Sequence, residues 1–429
     1  MKHRREIFAI ALPAIISNLT TPVLGLVDVA ITGHIGAAVY IGAIAIGGTI
    51  FNMLYWLFGF LRMGTSGLTA QAYGARDSST EAIVLCRSLL IAVAVGLLML
   101  IFSAPILSIT LRVMGADAVT TSLAARYFSI CIWGAPAVMI SYAISGWFIG
   151  MQDSKSAMWT AITTNLTNIA VSAALVFGLQ WKIEGVATGT LVAQWAGAAL
   201  ALLIVVFRYR PKTPPLRSLS DRKELLSFFR INVDIFFRTC CLVTVTVWFT
   251  HAGAIQTPEV LAANTILMQF FLLFSYFIDG FAYAGEALAG KYVGAGDNSR
   301  LVGVVASLLK SGLRCALVVT LIYFLFGEWF ISILADDATV VETTCRFLPW
   351  AIAVPLCGFL AFIWDGVFIG LVATRRMLFS MLIAVGVFFS LYYILFPTFS
   401  NNALWLAFNA YLIVRGLMQW LYWTKSIKP

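Results

Sequence analysis

Asp28, Asp279, Glu286 and Asp365 each sit inside a long apolar run. An ionisable group in such a run is costly enough to be kept for a cavity, a partner or a transported ion. Low-dielectric surroundings favour the protonated form of a carboxylate, so an acid of this kind can take up and release a proton, and it can also attract a cation. Asp279 and Glu286 are seven residues apart in one run, which places them on one face of a helix. Asp234 and Arg238, four residues apart, read as a local ion pair. Lys310 and Arg314 read as side chains that snorkel toward an interface.

Other chemistries lack their residues. His3, His34 and His251 are isolated and form no metal-ligand spacing. Cys86, Cys131, Cys240, Cys241, Cys315, Cys345 and Cys357 are scattered through apolar stretches without a C-x-x-C pair, so neither a disulfide framework nor a zinc site is indicated. Gly285-x-x-x-x-Gly290-Lys291 has the spacing of a phosphate loop, but Tyr292 stands where a Ser or Thr is required, at the end of an apolar helix. Gly64-Thr65-Ser66-Gly67 has no histidine near it to activate a nucleophile. No cofactor is expected, and any work done draws on a gradient of H⁺ or Na⁺.

The elements that position the acids follow from composition. Of 429 residues, 61 % are hydrophobic and 11 % charged, and the mean hydropathy is +0.93, against about half apolar and a quarter charged for a soluble domain. The chain is therefore expected in a membrane, which excludes disorder and nucleic-acid binding. About 20 apolar residues cross a bilayer. Twelve runs meet that need, near 8–33, 40–68, 82–107, 122–150, 157–180, 184–207, 226–252, 259–290, 301–334, 344–370, 377–397 and 403–424. The first has no cleavage site after it and reads as an uncleaved helix.

With the N-terminus in the cytoplasm, eighteen Lys and Arg residues, from Lys2, Arg4 and Arg5 to Lys425 and Lys428, fall on that side. Only Arg112, Arg126, Lys182 and Arg346 fall on the other. This positive-inside bias accounts for the +9 net charge and puts both termini inside. The stretch Arg208 to Lys223, rich in proline and charge, divides the chain into an N-lobe (1–207), a cytoplasmic linker (208–223) and a C-lobe (224–429).

The two lobes repeat at an offset of 220 residues. Gly33 maps to Gly253, Gly74-Ala75-x-Asp77 to Gly294-Ala295-x-Asp297, Arg126 to Arg346, and Gly146-x-Phe148-Ile149-Gly150 to Gly366-x-Phe368-Ile369-Gly370. Six spans per lobe is an even number, so both copies enter from the same side. The expected fold is all-α: twelve transmembrane helices in two six-helix bundles related by a pseudo-two-fold axis along the membrane normal. The acids do not repeat. Asp28 maps to Trp248, while Asp279, Glu286 and Asp365 map to Gly59, Ser66 and Ser145. Spans 2 and 8 are dense in aromatics, which suits a cavity for organic cations.

Several stretches together resemble the multidrug and toxic compound extrusion (MATE) transporters, in their DNA-damage-inducible protein F (DinF) branch. They are Gly25-Leu-Val-Asp28 with Gly33-His34, Phe60-Leu-Arg62-Met with Gly67-Leu-Thr-Ala-Gln-Ala-Tyr-Gly74-Ala75, Asp279-Gly-Phe-Ala-Tyr-Ala-Gly-Glu286-Ala, Asp365-Gly-x-Phe-Ile-Gly370, and Asn402-Ala-Leu-Trp-Leu-Ala. The resemblance covers essentially the whole chain. It implies a V-shaped pair of six-helix bundles in the bacterial inner membrane, working as a monomer. Such a protein exports organic cations and other amphipathic xenobiotics by alternating access, in exchange for H⁺ or Na⁺.

Asp28 matches the family's first-span acid, which in proton-driven members belongs to a network with fifth-span polar groups. Here that span offers Asn168 and Ser172, with Ser172 where many relatives carry a second Asp. Asp365 matches the tenth-span acid that takes part in cation binding in sodium-driven relatives. Asp279, Glu286 and Asp365 are expected to line the cleft and hold substrate or a second ion. Arg62 maps to Ala282, one turn beyond Asp279, so Arg62 and Asp279 lie at matched depths on spans 2 and 8 and are expected to form a cytoplasmic latch. The alternatives are a lipid-linked oligosaccharide flippase of the same architecture, or a polytopic enzyme acting on a lipid.

Overall fold

The computed structural model describes residues 2–33, 38–114, 117–212, 214–219 and 221–426. His34, quoted above in the first-span motif, lies outside the described residues. The first half contains α1 (Lys2–Gly33), α2 (Ala38–Leu57), α3 (Phe60–Ala75), α4 (Ser78–Ile101), α5 (Ser103–Met114), α6 (Ala118–Cys131), α7 (Ala135–Gly150), α8 (Ser154–Ala173), α9 (Ile183–Ile204) and the short α10 (Leu216–Leu219). The second half contains α11 (Arg222–Ala254), α12 (Pro258–Gly294), α13 (Asn298–Leu334), α14 (Ala338–Gly370), α15 (Thr374–Phe399) and α16 (Asn401–Ser426). No strand occurs among the described residues. Among the described residues eleven helical stretches are long and apolar enough to cross a membrane, α2 with α3 and α6 with α7 each counting as one; α16, which carries Arg415, lies over the twelfth apolar run of the sequence and is not among them.

The repeat is visible as local chemistry. Asp77 caps α4 by accepting from the Ser79 and Thr80 N–H groups, and Asp297 caps α13 through Arg300 N–H at 3.0 Å. Asp117 and Asp337 cap α6 and α14 in the same way, again 220 residues apart. Each cap satisfies N–H groups that a helix start leaves open. Hydrogen bonds from Thr80, Thr120 and Thr339 hold the carboxyls of Asp77, Asp117 and Asp337 below the ordinary carboxylate range. The left-handed residues also recur: Arg76 and Gly296 end equivalent helices at φ 57° and 68°, and Gln152 and Val372 have φ of 63° and 55°.

The Gly-x-Phe-Ile-Gly motif is a close-packing device. A Cβ on Gly146 would stand 2.2 Å from the Arg62 carbonyl oxygen, and one on Gly366 2.1 Å from that of Ala282, the repeat position of Arg62. Likewise a Cβ on Gly150 would stand 2.8 Å from the Ser66 carbonyl oxygen, and one on Gly370 2.5 Å from that of Glu286. Small residues of this kind let membrane helices pack backbone to backbone, without help from the hydrophobic effect. They dock α7 on α3 and α14 on α12.

The chain forms two compact units, residues 16–229 and residues 1–15 with 230–429. Each unit is completed by an arm from the other half of the sequence. The first turns of α1 pack with the second unit, where Tyr292 donates to Glu6 Oε2 at 2.8 Å and Gly280 lies close against the Ala11 carbonyl. In the first unit the start of α11 is held by Arg87 of α4, which pairs with Glu224 at 2.6 Å and donates to the Ser218 carbonyl of α10.

Candidate functional site

In the first unit, α8 and α9 bring the fifth-span polar residues into a chain. Gly189 of α9 permits this, because a Cβ there would come within 2.1 Å of Ser172 Oγ. Ser172 Oγ lies 3.5 Å from Asn168 Oδ1, Asn168 Nδ2 donates to Thr190 Oγ1 at 3.0 Å, and Thr190 Oγ1 donates to the Val186 carbonyl at 3.0 Å. Tyr127 and Cys131 of α6 lie within electrostatic reach of Asp28 on α1. Asp28 Oδ1 is buried and makes no hydrogen bond, while the Asp28 carbonyl accepts from Thr32. Asn168 and Ser172 thus share one hydrogen-bonded chain with Thr190, which sequence reasoning missed. The small residues Gly185 and Gly189, four apart on α9, were the available signal.

In the second unit Asp365 is 5 % exposed and fully engaged. Its Oδ2 accepts from Arg238 of α11 and pairs with Arg415 of α16 at 3.1 Å, and its Oδ1 accepts from Gln419 Nε2 at 2.6 Å. Arg415 also donates to Tyr411 at 3.2 Å, and its guanidinium lies 5.3 Å from the Phe362 ring centre. Tyr411 in turn donates to Met381 Sδ at 3.1 Å.

The expected Asp234–Arg238 pair is not formed. Arg238 turns to the buried Asp365, and Asp234 accepts from Thr374 at 2.9 Å. A guanidinium out of water gains more from a fully desolvated carboxylate on another helix than from a neighbour on its own. Arg415 and Gln419 were missed, although an arginine midway along an apolar span is itself a signal.

Asp279 lies within electrostatic reach of Arg415. Glu286 is 2 % exposed, with its backbone carbonyl against Gly370. Of the three C-lobe acids, Asp279 and Asp365 both interact electrostatically with Arg415. Arg62 lies near Tyr142 of α7. Many of the span 8 aromatics are core, Phe270, Phe274 and Phe281 being buried.

A repeated, all-helical chain with acids buried in membrane-spanning segments has the design of a secondary transporter. The chain belongs to the MatE family, whose profile matches it twice, over residues 13–174 and 231–394. It is 33 % identical to the DNA damage-inducible protein F of Escherichia coli over 98 % of this chain and 92 % of that protein. With the probable multidrug resistance protein NorM of Thermotoga maritima it shares 23 % identity over 79 % of this chain and 74 % of that one. Its fold is that of a solved MOP superfamily transporter from Pyrococcus furiosus with a binding pocket described as of reverse polarity, at a TM-score of 0.89, 18 % identity, and 99 % and 96 % coverage. It matches a crystal structure of MATE in the bent conformation equally well, at 0.89, 18 % identity, and 100 % and 96 % coverage. Family, helices and apolar composition together make it a multi-pass membrane protein.

Proposed function

We propose that this protein is a proton-coupled exporter of organic cations and other amphipathic xenobiotics in the inner membrane, with both termini cytoplasmic, working as a monomer by alternating access. The observation that carries the choice of ion is the contrast between the two buried acids. Asp28 has an oxygen without a hydrogen-bond partner and a hydroxyl and amide chain nearby. Asp365 has both oxygens occupied, by two guanidinium groups and an amide. Arginine does not deprotonate in proteins, so a sodium ion arriving at Asp365 would meet two fixed positive charges.

Protonation of Asp28 from the outer side and release to the inner side would drive the cycle, with Asn168 and Ser172 shaping its surroundings. Asp365 is given a holding role across α11, α14 and α16. Asp279 and Glu286 are assigned to the cationic substrate, and Arg62 with Asp279 to the cytoplasmic latch. The test is uptake of a cationic dye into liposomes containing the purified protein, under an imposed pH gradient and, separately, an imposed Na⁺ gradient. Transport driven by the pH gradient and lost in Asp28→Asn is the expected result. Transport driven by Na⁺ alone, or full activity in folded Asp28→Asn, would overturn the reading.

A further inference from the structure

The surface of the first unit carries a groove of about 460 Å³ between α8 and the end of α9, lined by Trp159, Leu200, Leu203, Ile204, Phe207, Arg208 and Ser156. It lies where the helix leaves its regular form. After Ile204 the chain winds as a π turn over Val205–Tyr209 and stops at Arg210, with φ 47°. Such turns widen a helix locally and recur at functional positions.

One end of the groove is aliphatic and aromatic, while the other meets charge. Arg208 bonds Ser156 Oγ at 3.0 Å and pairs with Asp153 at 3.1 Å, yet 62 % of its side chain is exposed. Asp153 is already shared with Ser156 and with the Tyr209 hydroxyl at 2.7 Å. Around this end Lys155, Arg210 and Lys212 are also exposed. Arg208 thus meets an already engaged carboxylate, and three more exposed cations lie within four residues of it or of Ser156 along the chain, Arg210 donating from Nε to the Phe207 carbonyl at 3.3 Å. The repeat positions of Leu200 and Leu203 are Trp420 and Trp423, so the second half does not reproduce this apolar wall with side chains of the same size.

The geometry points to a binding site for one phospholipid with an anionic headgroup, its phosphate on Arg208, Lys155 and Arg210 and an acyl chain along Trp159, Leu203 and Phe207. An apolar trough ending in a basic cluster at the membrane border has the complementary shape and charge, and each cation near a lipid surface favours an anionic headgroup. The site is separate from the acids of the transport reading and does not depend on it.

The experiment compares phosphatidylglycerol with phosphatidylcholine of the same chains, added to the detergent-solubilised protein. Retained lipid is counted by native mass spectrometry and Tm is followed. Wild type is expected to retain phosphatidylglycerol in preference and to gain Tm from it. Leu203→Trp, which fills the trough and keeps every charge, should lower that retention about tenfold. Should Leu203→Trp fail to fold, the exposed pair Lys155→Gln with Arg210→Gln tests the headgroup end, with a loss of similar size expected. Equal retention of the two lipids, wild-type retention in the folded variants, or displacement of the lipid by a cationic dye would overturn the site.

Discussion

The two halves of this chain share a repeat, yet their helices differ in continuity. In the first half the second span breaks at Phe58 and Gly59, the third at Phe102, and the fourth passes through a 3-10 turn at Ile132–Gly134. The fifth and sixth end in π turns, Ala174–Gly178 and Val205–Tyr209. Their counterparts α12, α13, α14, α15 and α16 run without interruption, α14 even through Pro349 and Pro355. The unpaired Asp28 oxygen lies in the broken half, and the Arg238–Asp365–Arg415 cluster in the continuous one. Irregular backbone within a membrane marks places where helices can rearrange. A buried carboxylate held by two arginines and a glutamine marks a place where they cannot do so cheaply. The same scaffold is thus built from continuous helices in one copy and interrupted ones in the other.

The largest test of that division removes the acid from each half. Asp365→Asn leaves two arginines buried without their anion and is expected to cost about 3–5 kcal/mol, seen as lost yield and a large fall in Tm. Asp28→Asn is expected to leave Tm unchanged or slightly raised while transport is lost. Equal falls in Tm would erase the distinction.

Next in size are the glycines, where the halves should agree. Gly146→Ala and Gly366→Ala each drive a Cβ to within about 2.2 Å of a backbone oxygen, and each should cost about 1–3 kcal/mol. Thermal melts of the two variants should fall by similar amounts, and a difference of more than half between them would mean that only one half depends on this close approach.

Hydrogen exchange sharpens the comparison further. Amides at 57–60, 101–104 and 131–136 are expected to exchange about tenfold faster than those at 277–280, 321–324 and 351–356, equivalent to about 1.4 kcal/mol easier opening. Matching rates would show that the breaks are as stiff as unbroken helix.

The smallest effect concerns the border of α8. Burial works to raise the Asp153 carboxyl, but hydrogen bonds from Ser156 and Tyr209 and the Arg208 charge outweigh it, so the net shift is downward. A depressed carboxylate contributes stability above its unfolded value, near about 4, and that contribution is lost as pH falls through the lower folded value. Asp153→Ala should therefore cost about 1 kcal/mol at neutral pH, and the gap from wild type in pH-dependent melts should close in acid.

Much of this was legible in the amino-acid order because it is local or periodic. The offset of 220 residues paired Asp77 with Asp297 and one Gly-x-Phe-Ile-Gly stretch with the other, although their work as caps and close-packing sites is visible only in the structure. Asp28 stood out because its run is otherwise apolar, whereas Asn168 and Ser172 were reached only through the resemblance to the MATE fifth span. The Arg238–Asp365–Arg415 cluster was not legible, since its members come from three helices far apart in sequence, and Asp234 offered Arg238 a nearer but inferior partner. The helix interruptions were hidden as well. Phe58, Phe102 and Ile132 are ordinary apolar residues, and only the neighbouring Gly59 and Gly134 hinted at a change of path.

The exchanged arms carry a consequence for the connection between the halves. Because residues 1–15 finish the unit built mainly from the second half, and the start of α11 is held within the unit built from the first, a cut in the linker would sever the thread without undoing the weave. Two half-chains made separately would each display a seat for the other's leading arm. Reassembly of such halves would rest on reciprocal clasping, as in a handshake, with the polar linker serving mainly to keep the partners at high local concentration.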